Sequence, residues 1–194
     1  MTTARRDWEA GRFAQVKEEP AQRAGDTEQS AQPPRLAPQA WKIGGRTLTS
    51  RLFLGTAGYP SPQILQDAIA ASGAQVVTVG LRRQLAHGAQ ADDFFGMVQA
   101  TGAHLLPNTA GCHTAREAIT LAHMARELFD THWIKLEVLG DAHTLQPDPF
   151  ELLSATAQLV KDGFEVFPYC MDDLVSCQRL LDVGCNILMP WGAP

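Results

Sequence analysis

From Trp41 onward, short apolar segments alternate with longer segments in which apolar residues recur three or four positions apart. The first pattern is typical of buried strands, and the second is typical of helices that cover a core with one face. Trp41-Lys42-Ile43, Gly44-Gly45 and Thr47-Leu48 predict a hairpin, because Gly-Gly is a favoured tight turn. The sequence then predicts six strands, at 52–54, 76–79, 104–106, 133–138, 164–168 and 186–189.

Helices are predicted between these strands, one of them over about 92–101. Four others open at residue types that accept N-cap hydrogen bonds, namely Ser61, Thr114, Asp148 and about Asp172. The first helix is expected to bury a stripe formed by Ile64, Leu65, Ala68 and Ile69. Strands that alternate with helices at intervals of roughly 25–30 residues indicate parallel βαβ units.

Two α/β architectures fit this pattern, an open doubly wound sheet and a (β/α)8 TIM barrel. No G-x-G-x-x-G follows the first strand, and the phosphate-binding motif G-x-x-x-x-G-K-[ST] is absent, which disfavours the nucleotide-binding sheets. A (β/α)8 TIM barrel is then favoured, and it would have to be truncated after the sixth strand, because only six strands are predicted. This partial barrel domain is expected to span 41–194. Residues 1–40 are rich in Gln, Pro and Glu with few aliphatics, and predict a disordered N-terminal tail.

Composition narrows the functional classes. The chain is 45% hydrophobic and 19% charged with a net charge of −5, which gives no general attraction to nucleic acid or to anionic membranes. No apolar run is long enough to span a bilayer, and the N-terminus lacks a secretory signal pattern. The four cysteines have no C-x-x-C spacing and the six histidines have no metal-binding pattern, so we predict free thiols, no metal site and a cytoplasmic protein.

The segment Trp133-Ile134-Lys135-Leu136-Glu137-Val138 carries the candidate chemistry. Alternation places three aliphatics on one face, with Lys135 and Glu137 on the other. One interpretation is a surface edge strand with an ion pair across its face. The other is a barrel strand whose aliphatics meet the outer helices while Lys135 and Glu137 point into a central site. In that case Lys135 would form a Schiff base with a carbonyl substrate, and Glu137 would move protons beside the imine.

Neighbouring segments resemble the thiazole synthase family of thiamine biosynthesis, and the resemblance is collinear from about Trp41 to Pro194. The segments that carry it are Gly55-Thr56, Leu81-Arg82-Arg83, 106–112 (LPNTAGC), 133–138 (WIKLEV), Pro147-Asp148-Pro149, 168–173 (PYCMDD) and Gly184-Cys185 through Met189-Pro190. The resemblance implies a (β/α)8 barrel that forms thiazole phosphate carboxylate from 1-deoxy-D-xylulose 5-phosphate, dehydroglycine (iminoacetate) and sulfur. It assigns Lys135 as the imine-forming residue and Glu137 as the acid-base residue, with no cofactor.

The resemblance also implies partners. Sulfur would arrive as the thiocarboxylate of a ubiquitin-like sulfur carrier protein, a separate enzyme would produce the dehydroglycine, and the protein would be a homotetramer. Gly80, Met171 and Trp191 depart from residues common in the family. The family continues after residue 194 with two strand-helix units that hold the substrate phosphate, so this chain is expected to show little turnover. An aldolase-type Schiff-base lyase and a catalytically inactive barrel fragment are the alternatives.

Overall fold

A computed structural model of the chain describes residues 39–82 and 90–192, with the backbone alone for 90–92. Nearly all of the predicted disordered tail, residues 1–38, lies outside the described residues, and so does Arg83 of the second strand-helix loop. The predicted boundary between tail and barrel near residue 40 stays a prediction.

A short antiparallel hairpin precedes the main sheet, as predicted. β1 (Trp41–Ile43) pairs with β2 (Arg46–Leu48), with Trp41 opposite Leu48. The turn between them uses Gly44 and Gly45, whose φ angles of 53° and 76° lie in the left-handed region that glycine adopts without a Cβ penalty.

The main sheet has six parallel strands in sequential order. They are β3 (Phe53–Gly55), β4 (Val76–Gly80), β5 (His104–Asn108), β6 (Trp133–Leu136), β7 (Glu165–Cys170) and β8 (Met189–Pro190). Five helices of the described residues connect them: α1 (Pro62–Ser72), α2 (Gln90–Ala100), α3 (Ala115–Phe129), α4 (Pro149–Lys161) and α5 (Leu174–Asp182). A doubly wound sheet reverses its strand order at a switch point, whereas sequential order is that of a barrel, so the predicted truncated α/β barrel is confirmed.

The sheet is strongly curled. The rings of Phe53 on β3 and Phe167 on β7 lie 6.3 Å apart between centroids, although four strand spacings would separate them by about 19 Å in a flat sheet. These rings belong to an interior cluster at the N-terminal ends of the strands, whose buried members are Leu48, Val76, Leu106, Trp133, Phe167 and Ile187. The hairpin contributes Leu48 to this cluster, and therefore covers the end of the barrel opposite the carboxyl ends of the strands.

A second layer lies between the sheet and the helices. Val77, Val79, Ile134, Leu136 and Val138 are fully buried there against the inner faces of the helices. The alternation predicted for the fourth strand is therefore correct, because its aliphatics face outward to the helices while Trp133 faces the interior.

Several predicted boundaries are wrong. β5 continues through Pro107 to Asn108, because proline removes only one backbone donor and its φ permits extended backbone. β6 ends at Leu136 rather than at Val138, because side-chain and turn hydrogen bonds replace the ladder beyond that point. The sixth strand forms at Met189–Pro190 instead of 186–189.

The predicted stripe of α1 is also partly wrong. Leu65 and Ile69 are buried as expected, whereas Ile64 is 47% exposed. Apolar residues on the first turn of α5 are exposed as well, with Leu174 at 81% and Val175 at 60%. Spacing identifies which residues share a helix face, but it does not show whether another element covers that face.

Substitutions at the two glycines of the hairpin turn test how closely the turn packs against Trp133. A Cβ on Gly44 would lie 2.7 Å from the Trp133 indole, whereas one on Gly45 would meet nothing within 4 Å. We expect Gly44→Ala to lower the free energy of unfolding by about 2–4 kcal/mol, from left-handed strain plus overpacking. Gly45→Ala carries the strain alone and should cost about 1–2 kcal/mol. Urea unfolding followed by far-ultraviolet circular dichroism measures both, and equal losses would contradict the packing of the turn against Trp133.

Candidate active site

A cavity of about 690 Å³ opens at the carboxyl ends of the parallel strands. Its walls come from the residues that end or follow five consecutive strands: Gly55, Thr56, Ala57, Thr78, Gly80, Arg82, Asn108, Ala110, Gly111, Lys135, Glu137, Leu139, Leu145 and Tyr169. Catalytic groups of TIM barrels lie at this end, because loops from several strands converge there.

Lys135 and Glu137 lie together in this cavity. Lys135 Nζ is 2.9 Å from Glu137 Oε1, and the two side chains are 21% and 13% exposed. β6 pairs with β5 on one side and with β7 on the other, so it is a central strand of the sheet. The interpretation of a surface edge strand is therefore wrong, and the charged face of β6 points to the barrel interior.

Tyr169 adds an aromatic wall beside the lysine. Lys135 Nζ lies 5.5 Å from the centroid of the Tyr169 ring, within the range of a cation–π contact. Burial, and secondarily the negative charge of Glu137, raise the pKa of the Tyr169 phenol, so its hydroxyl stays protonated at neutral pH and is available as a hydrogen-bond donor. Sequence reasoning quoted Tyr169 only as part of a motif. Side chains alternate between the two faces of β7, so Tyr169 shares a face with Phe167. This pattern in the sequence could have predicted that Tyr169 points into the barrel.

The loop after β5 supports the far end of β6. Asn108 pairs with Lys135 in the register between the strands and lines the cavity. The hydroxyl of Thr109, which is completely buried, donates to Glu137 O at 2.7 Å and accepts from Glu137 N–H at 2.8 Å. Sequence reasoning missed both contacts, because they join residues that are about thirty positions apart.

Arg82 forms the rim of the cavity between the second and third loops. Its Nη1 donates to Gly111 O at 2.6 Å, and its Nη2 lies 3.6 Å from Glu117 Oε2. Both side chains are about half exposed, so the pair is screened by solvent and contributes mainly by orienting the guanidinium at the mouth of the cavity.

The cysteines are free thiols, and three of them are buried: Cys112, Cys170 and Cys185. Burial raises the pKa of each of these three thiols, to about 12 for Cys170, where the neighbouring Cys177 adds to the effect. A thiol with a raised pKa carries little thiolate at neutral pH and is a poor nucleophile. These three cysteines are therefore poor candidates for nucleophilic chemistry.

Within 39–82 and 90–192, no group of three or more His, Cys, Asp or Glu side chains is arranged to hold a metal ion. Over the same residues, none of the helices combines the length and the apolar character needed to cross a membrane.

Comparison with known proteins points to one family. Residues 42–194 match the family model described as "Thiazole biosynthesis protein ThiG". A thiazole synthase of Coxiella burnetii is 59% identical over 155 residues, covering 79% of this chain and 59% of the relative. A thiazole synthase of Roseobacter denitrificans is 61% identical over 150 residues, covering 77% of this chain and 59% of the relative. The chain thus spans about three fifths of the length of these relatives.

A solved structure is similar in fold as well as in sequence. The crystal structure of the Amycolatopsis orientalis BexX/CysO complex matches with a TM-score of 0.58 and 27% identity, over 76% of this chain and 60% of that chain. The match to the family model extends over residues 42–194, which include all six strands of the main sheet and more than half of the chain. The chain belongs to the ThiG family of thiazole biosynthesis proteins.

Proposed function

We propose that this protein is a thiazole synthase, a transferase that forms thiazole phosphate carboxylate from 1-deoxy-D-xylulose 5-phosphate, dehydroglycine and sulfur. The observation that carries the proposal is the placement of Lys135 inside the cavity, 2.9 Å from the Glu137 carboxylate, in a chain of this family. The assignment of substrates rests on the resemblance of the 133–138 and 106–112 segments to the family.

Lys135 is the proposed imine-forming residue. The Glu137 carboxylate is within hydrogen-bond distance of Nζ and can accept a proton from the ammonium. The free amine then attacks the ketone carbon of the sugar phosphate and gives a carbinolamine. Loss of its hydroxyl as water, with a proton from Glu137, leaves an iminium linked to Nζ. The flat ring of Tyr169 stabilises the cationic nitrogen by the contact it already makes with the ammonium.

Glu137 is the proposed acid-base residue after imine formation. An iminium acidifies the hydrogens on the adjacent carbons, and a carboxylate beside it can take such a proton and return it elsewhere on the chain of the sugar. General acid-base catalysis of this kind contributes about 10²- to 10⁴-fold. Glu137 follows Lys135 by two residues on the same face, which keeps the carboxylate beside whatever is bonded to Nζ.

The sulfur is proposed to come from the C-terminal thiocarboxylate of a ubiquitin-like carrier protein, and the dehydroglycine from a separate enzyme. The buried cysteines support an external donor, because their raised pKa values disfavour a thiolate that would carry sulfur. The likeness to BexX, whose crystal structure is a complex with CysO, supports a protein partner. As part of the same proposal, the protein is a homotetramer of the cytoplasm, as the resemblance to the family implies.

Reduction of the imine tests the proposal directly. The chain contains four lysines, so peptide mass spectrometry can assign an adduct unambiguously. After incubation with 1-deoxy-D-xylulose 5-phosphate and sodium borohydride, we expect a stable secondary amine on Lys135 alone. An adduct on Lys17, Lys42 or Lys161, or no adduct, would overturn the assignment. Aldol cleavage of the sugar phosphate in the absence of any carrier protein would favour the lyase alternative instead.

A further inference from the structure

Glu137 lies one residue beyond the end of β6. The ladder with β7 ends where Leu136 faces Pro168, and the ladder with β5 is confined to Asn108 and Lys135. The backbone N–H and C=O of Glu137 therefore lack a partner in either ladder. Buried backbone groups are almost always hydrogen-bonded, so this position needs another source of partners.

Thr109 supplies both partners through one hydroxyl. In a regular parallel ladder the Glu137 N–H would donate to Thr109 O, just as Thr109 N–H donates to Lys135 O at 3.2 Å. Thr109 O is instead occupied by Cys112 N–H at 3.1 Å, because the chain turns there. The Thr109 hydroxyl replaces the Thr109 carbonyl as the acceptor for Glu137 N–H, at 2.8 Å, and it also donates to Glu137 O at 2.7 Å. One buried side chain thus extends the β5–β6 pairing by a residue.

We propose that Thr109 is a positioning residue, whose hydroxyl fixes the backbone of Glu137 and so presents the Glu137 carboxylate to Lys135 Nζ. A threonine suits this task because its β-branched side chain has a restricted χ1, which aims the hydroxyl in one direction. The consequence for catalysis rests on the proposed function, in which that carboxylate transfers protons at Lys135. The geometric claim can be tested without any turnover.

Matched substitutions separate an effect on the position of the Glu137 carboxylate from a general effect on the stability of the fold. Thr109→Val keeps the shape and removes both hydrogen bonds, whereas Thr109→Ser keeps the hydroxyl. Thr156→Val is the control, because Thr156 is also completely buried and its hydroxyl donates to Leu152 O at 2.8 Å inside α4, away from the cavity. Glu137→Gln removes the carboxylate and therefore shows the effect of a complete loss of the ion pair with Lys135. Thr109→Ala, which cannot overpack the site, replaces the valine variant if that variant does not fold.

Trace acetylation of the lysines by acetic anhydride, quantified by mass spectrometry at a fixed pH, reports on the ion pair. An amine that is held in an ion pair must leave its carboxylate before it can attack the anhydride, so loss of the 2.9 Å contact between Lys135 and Glu137 speeds the labelling. The exposed Lys42 and Lys161 serve as internal references. Relative to these, we expect Glu137→Gln, which removes the charged contact, to raise labelling of Lys135 by about tenfold, and Thr109→Val, which loosens it, by about threefold. Thr109→Ser and Thr156→Val should label as the unmodified protein does.

Two results would overturn the proposal: wild-type labelling of Lys135 in Thr109→Val, or a rise in Thr156→Val as large as that in Thr109→Val. The second would mean that loss of any buried hydroxyl loosens the site. Because labelling needs no substrate, this outcome is separate from that of the borohydride experiment. A missing adduct in the unmodified protein would refute the proposed function while the labelling pattern still decides the role of Thr109.

Discussion

A Lys135→Arg variant should form no borohydride-stable adduct with 1-deoxy-D-xylulose 5-phosphate, whereas the unmodified protein should be labelled on Lys135. Arginine keeps a positive charge beside Glu137 and can still pair with its carboxylate, so the local electrostatics change little. It remains protonated at any accessible pH, however, and offers no free amine to attack a carbonyl. The variant therefore removes the chemistry while it retains the ion pair.

Adduct formation is measured by intact mass and peptide mapping. Lys42→Arg is the matched control, because Lys42 is an exposed residue of the N-terminal hairpin and its replacement should leave the adduct unchanged. Unchanged circular dichroism of both variants would show that the fold persists. An adduct of undiminished yield in Lys135→Arg would mean that another group forms the covalent bond and would remove the central residue of the proposed mechanism.

The sequence predicted most of the individual strands and helices because the signals for them are local. Period-two alternation along 133–138 predicted that Lys135 and Glu137 share a face, and the structure has both side chains in the cavity. Caps at Ser61, Thr114 and Asp148 predicted three helix starts, since an N-cap depends on bonds within the first turn. Strand-helix alternation then predicted parallel βαβ units, which the doubly wound sheet and the barrel share.

The features that the sequence did not predict depend on contacts between distant residues. The contact of Phe53 with Phe167, which brings β3 close to β7, joins residues that are separated by more than a hundred positions. The end of β6 at Leu136 depends on Thr109, whose hydroxyl replaces a ladder bond. The exposure of Leu174 depends on which elements flank α5. Local propensity contains no information on any of these contacts. Residue patterns therefore predicted Lys135 and Glu137 as site residues, but not the hydrogen bonds from Thr109 that hold the Glu137 backbone.

Trp133 begins the strand that carries the site, and its replacement should have the largest effect on stability. The side chain is 2% exposed, its ring centroid lies 4.9 Å from that of Phe167, and its Nε1 donates to Gly44 O at 3.0 Å. It therefore joins the interior of the barrel to the N-terminal hairpin. Removing a buried tryptophan leaves a large cavity, and we expect Trp133→Ala to lower the free energy of unfolding by about 3–5 kcal/mol.

Two companion variants make this result specific. Trp133→Phe keeps an aromatic ring but loses the bond to Gly44, so it should cost about 1–2 kcal/mol. Phe150→Ala removes an aromatic side chain that is 76% exposed, and should change stability by less than about 0.5 kcal/mol. Urea unfolding monitored by far-ultraviolet circular dichroism measures all three. Typical domains have about 5–15 kcal/mol of stability, so the alanine variant would lose a large part of it. If Trp133→Ala lowered the free energy of unfolding no more than Phe150→Ala does, the interior cluster around Trp133 and Phe167 would not be what stabilises the barrel.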